Sequence, residues 1–152
     1  MIDRVVQTVL AVLVLVAGAS LEETLPRVFG VGFPVLMAAV AFFAVRPAGT
    51  LSLAFAVVAG AVEDVLAGLP PMTSVSSFLA LAFLVRRFGL SRSLLVLAYP
   101  CYQVWLSMWM AGIGGEVFRR VLVACPVGLV TAFAVDLVLG WLCRKAAAYE
   151  RG

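Results

Sequence analysis

The chain has 152 residues, of which 64% are hydrophobic and 12% charged, with a mean hydropathy of +1.15. Ordinary soluble domains lie far from these values, so the composition predicts a membrane protein formed as one domain, residues 1–152. A net charge of +3 would suggest nucleic acid in a soluble protein; here the basic residues sit at the ends of apolar runs, which points to membrane orientation and not to a nucleic-acid partner. The chain contains no histidine. That removes Ser-His-Asp and Cys-His catalysis, most zinc sites and an axial histidine for haem. No catalytic residue, metal site or cofactor is expected, and the sequence has no P-loop, GxSxG or GxGxxG motif.

Apolar runs at about 5–21, 28–45, 51–69, 74–85, 94–114 and 121–143 are broken by "EETLPR", "RPAG", "PPMT", "RRFGLSRS" and "GEVFRR". A spanning helix needs about 20 apolar residues, so the runs predict an all-α polytopic protein, a bundle of six transmembrane helices with short loops. The first run, with Arg4 ahead of it and "AGA" at 17–19, has a second reading as a signal peptide. The fourth run is short, and the expectation is that it recruits Pro71 to Thr73 and the stems of Arg86 and Arg87. With the N-terminus inside, the inner segments carry Arg4, Arg46, Arg86, Arg87, Arg92, Arg144, Lys145 and Arg151, and the outer ones only Arg27, Arg119 and Arg120. The imbalance predicts a multi-pass membrane protein with both termini cytoplasmic.

In the third run two adjacent acids, Glu63 and Asp64, stand among small and apolar residues. A spacing of four aligns Ala56, Gly60, Asp64 and Gly68 on one helical face, a seam of small residues that lets helices come close in lipid. Ionisable groups inside a membrane are costly, which makes a function or a partner the first expectation for the pair, against a structural lock that ties an acid to Arg27, Arg119 or Arg120. Asp64, in line with the glycines, is expected to be the needed acid, and the longer Glu63 to reach outward to the interface. The last run repeats the spacing as Gly128, Ala132, Asp136 and Gly140, with "AVED" at 61–64 echoed by "FAVD" at 133–136; chance in an Ala-, Gly- and Val-rich chain explains this better than an inverted repeat. Asp136 is expected in the inner half of the membrane, away from Asp64.

In the fifth run Tyr99, Tyr102, Trp105 and Trp109 form a stripe, read as bundle packing or an interface belt ahead of a ligand-stacking wall. Arg86, Arg87 and Arg92 form a basic loop that anchors to anionic headgroups of the bilayer. Cys101, Cys125 and Cys143 are far apart and read as small packing residues.

From Phe33 to Phe88 the sequence resembles the MreD family of rod shape-determining proteins. The likeness is carried by Pro34 early in the second helix, the short basic turn at Arg46, and Gly60, Asp64, Gly68 and Pro70 as a G-x3-D-x3-G-x-P line. The chain differs in having Met72 and Thr73 where the family usually places a glycine after Pro70, and in the additional acid Glu63. The resemblance implies a non-enzymatic scaffold of the cell-elongation (rod) complex in the bacterial inner membrane, concerned with cell shape and peptidoglycan synthesis. It also implies binding to the single-span membrane protein MreC, and indirect links to MreB filaments, a SEDS glycosyltransferase and a penicillin-binding protein. Small six-helix S-components of energy-coupling-factor vitamin transporters look similar along the third helix and supply the alternative function.

Overall fold

The computed structural model describes residues 4–30, 32–45, 50–89, 98–106 and 115–149, and every regular element among them is a helix. In chain order these are α1 (Arg4–Phe29), α2 (Val35–Val45), α3 (Thr50–Leu66), α4 (Thr73–Phe88), α5 (98–106) and α6 (Gly115–Tyr149). Two helices, α1 and α6, are long and apolar enough to cross a membrane, over Val5–Phe29 and Leu122–Ala148. Both turn large apolar side chains outward, including Val5, Val12, Leu13 and Val16 on α1 and Leu129, Val130, Phe133 and Val138 on α6. On α1 the hydroxyls of Ser20 and Thr24 bond back to the carbonyls of Val16 and Ser20, at 2.9 and 2.8 Å, so neither needs water.

Several boundaries differ from those read off the apolar runs. The first helix does not stop at Glu22: "EETLPR" is helical, and α1 continues through Pro26 to Phe29. The second run yields only the 11 residues of α2, because Gly32 to Pro34 are not helical. Thr73 opens α4, and Arg86 and Arg87 join it as expected, but Pro71 and Met72 stay in the turn. "GEVFRR" is helical too, so α6 begins at Gly115 and reaches 35 residues. The two extensions, of α1 and α6, share a cause: charged residues at the end of a helix lower its hydropathy without breaking its backbone hydrogen bonds.

At the centre lies α2, where every residue from Leu36 to Ala44 is buried. It packs on α1, α3, α4 and α6. Phe43 meets Phe55 of α3 at 4.8 Å between ring centres. The most extensive contact joins α3 to α4. Between them α3 ends in a left-handed turn: Leu69 N–H donates to Asp64 O at 2.8 Å, Gly68 N–H donates to Val65 O at 3.3 Å, and Gly68 has φ +62. This is the C-terminal pattern that favours glycine. Nothing lies within 4 Å of a Cβ added at Gly68, so the glycine serves conformation and not packing. Gly68→Ala is expected to destabilise by about 1–2 kcal/mol, the cost of a side chain in the left-handed region, as read by thermal melting in detergent.

Candidate functional site

Asp64 is buried in the third helix, and its Oδ1 accepts a hydrogen bond of 2.7 Å from the backbone N–H of Ser74. Ser74 stands in the first turn of α4, where N–H groups have no partner within the helix. The residue that should cap this end, Met72, has φ 73 and makes no side-chain bond. Asp64 does so instead, reaching across from α3. Gly60, one turn earlier, makes this possible: an added Cβ would stand 2.5 Å from Val75 Cα and 2.7 Å from Val75 N. The α4 backbone therefore lies directly on α3, within reach of a side chain as short as aspartate. Pro70 closes the turn by accepting from Thr73, through N–H at 3.3 Å and Oγ1 at 2.8 Å.

Glu22 does for α2 what Asp64 does for α4. Its Oε1 accepts from the N–H of Leu36 at 2.7 Å, in the first turn of α2. Sequence reasoning gave Glu22 no role. The signal was a doublet: α1 carries Glu22 and Glu23 near its end, and α3 carries Glu63 and Asp64. Neighbours on a helix point about 100 degrees apart, so only one acid of each doublet can face the following helix. In the first doublet the other acid, Glu23, is exposed and pairs with Arg27 at 2.7 Å. In the second, Glu63 does not reach out to the interface but turns inward.

There Glu63 lines a cavity of about 170 Å³ together with Glu22, Tyr99, Tyr102 and Gln103, walled by Phe33 and Phe78. The Glu22 and Glu63 carboxyls come within hydrogen-bonding reach of each other. Tyr102 shares a 2.6 Å hydrogen bond with Ser74 Oγ, and Tyr99 donates to Gly32 O at 2.8 Å. Both rings are buried, and Tyr99 also meets α6 at Gly128, where a Cβ would be 3.3 Å from the ring. Trp105, of the same stripe, is exposed, and Trp109 lies outside the described residues.

The remaining sequence candidates are not part of this site. Asp136 is half-buried on α6 and does not line the cavity. Arg86 and Arg87 are exposed at the end of α4, with Arg87 5.9 Å from the Phe88 ring centre, and Arg92 lies outside the described residues. The buried acids are not paired with Arg27, which is taken by Glu23. Among the described residues no group of three histidine, cysteine or acidic side chains could hold a metal. A second, larger recess of about 470 Å³ opens between α1, α2 and α6, and its lining is apolar except for Thr131, which bonds to Val127 O.

No family model matches the chain, and no curated protein or solved structure matches it.

Proposed function

We propose that this chain is a six-span scaffold of the bacterial cytoplasmic membrane, non-enzymatic and of the MreD type, with both termini in the cytoplasm. The observation that carries the reading is the use of the Gly60, Asp64, Gly68 and Pro70 line. Gly60 admits the α4 backbone, Asp64 and Pro70 hold the start of α4, and Gly68 ends α3. The polar residues that carry the family resemblance are thus committed to architecture, which suits a protein that works by presenting surfaces.

Six spans are compatible with helices of unequal length. At 1.5 Å per residue, α3 and α4 reach roughly 25 Å, near the ~30 Å of a hydrocarbon core. The shorter α2 is enclosed by its neighbours, and Glu22 takes the place of water at its first turn.

A vitamin-binding S-component is the less supported alternative. The polar cavity of about 170 Å³ is smaller than the roughly 300–1,000 Å³ of sites that enclose drug-sized ligands. The larger recess lacks the few convergent polar groups that orient such a ligand.

Pull-down from solubilised membranes tests the choice. A scaffold should bring down a single-span protein with a periplasmic coiled coil, and its depletion should turn rods into spheres. Nanomolar vitamin binding with recruitment of an ATPase module would replace this reading with the transporter one.

A further inference from the structure

The facing carboxyls of Glu22 and Glu63 present an unfilled requirement. Glu22 Oε2 is sealed from solvent and, with both acids ionised, has no hydrogen-bond partner. The polar group it faces, the Glu63 carboxyl, is likewise only an acceptor when ionised. Two acceptors that face each other in a low-dielectric interior need either a shared proton or a positive donor between them, and only the second lets both stay ionised. Among the described residues no lysine or arginine lines the cavity.

The walls narrow the class of donor. Phe33, Phe78, Tyr99 and Tyr102 give the cavity aromatic surfaces, which favour an organic cation. Its size, about 170 Å³, corresponds to roughly five or six waters at ~30 Å³ each. A bare metal ion would leave most of that space empty. A primary ammonium on a short carbon stem takes up more of it, giving N–H donors to Glu22 and Glu63 and laying its stem against the rings.

We propose that the cavity between α1, α3 and α5 binds a primary ammonium group, held between the Glu22 and Glu63 carboxylates. Free amines and the aminoethyl headgroup of a phospholipid share this chemistry. The site does not depend on the scaffold reading, because it rests on the cavity alone.

The full chain in phosphatidylcholine nanodiscs, titrated with ethanolamine and followed by thermal melting, tests the site. The melting temperature should rise to saturation, with no such rise for sodium or tetrapropylammonium at equal ionic strength. Glu63 makes no backbone cap, so Glu63→Gln should fold and weaken binding at least tenfold, while Glu23→Gln, at the exposed Arg27 pair, should bind normally. If Glu63→Gln does not fold, Glu63→Asp keeps the charge but withdraws it, and should weaken binding measurably. In phosphatidylethanolamine nanodiscs, loss of the ethanolamine response together with a raised starting temperature identifies the lipid headgroup as the source; an unchanged response identifies a free amine. No saturable response in phosphatidylcholine, an equal response to sodium, or full binding by the Glu63 variants would overturn the proposal and leave a proton between the two acids.

Discussion

Asp64→Ala is expected to lower membrane abundance and thermal stability sharply, while Asp64→Asn remains close to the unmodified protein. The alanine variant leaves the Ser74 N–H without its 2.7 Å partner in a buried turn, a loss of about 1–3 kcal/mol. Asparagine still offers a carbonyl oxygen at that place, and what it gives up is the attraction of a negative charge to a helix N-terminus, about 0.3–1 kcal/mol. Quantitative blotting of membranes together with melting in detergent checks both. If Asp64→Asn is abundant but fails in complementation, the charge itself meets a partner; if Asp64→Ala melts like the parent, the cap contributes nothing.

Gly60→Ala should be the more damaging single change, although it adds one methyl group. Its Cβ would stand 2.5 Å from Val75 Cα, where carbon atoms need about 3.5–4.0 Å. The obstacle is backbone, so α3 and α4 must separate by about 1 Å, and the Ser74 to Asp64 hydrogen bond would lengthen beyond its useful range. Overpacking and the lost cap together give an expected cost of about 2–5 kcal/mol. Because both substitutions break the same bond, Gly60→Ala with Asp64→Ala should cost less than the two added together. Strict additivity in melting experiments would show that the close approach and the cap are independent.

The contrast between Gly60 and Gly68 shows how far the sequence could be read. Their spacing around Asp64 placed all three on one face and suggested close packing at each. The approach of α4 at Gly60 has that character, but Gly68 lies past the last regular turn, where periodicity no longer applies and the left-handed backbone decides. Glu63 was assigned outward by its length, yet the side that a helix position faces outweighs the reach of its side chain. Glu22 escaped notice for another reason. Local capping patterns place acceptor and donor within three residues, and its donor is Leu36, fourteen residues on in a different helix. The composition that marks a membrane chain is legible at once; the pairing of an acid with a distant backbone is a property of the folded bundle.

The two interhelical caps bear on biosynthesis. In hydrocarbon a helix start without partners is as costly as an unpaired acid. Here the helix start and one oxygen of the acid satisfy each other only when two consecutive helices are present. Glu22 emerges from the ribosome before Leu36, and Asp64 before Ser74, with gaps of fourteen and ten residues. In the proposed six-span topology, the smallest pieces that can leave a translocation channel for lipid with the Leu36 and Ser74 N–H groups capped are the hairpins α1–α2 and α3–α4, not single helices. Chain order itself delivers the donor soon after the acid, so in that topology the helices would enter the bilayer in pairs.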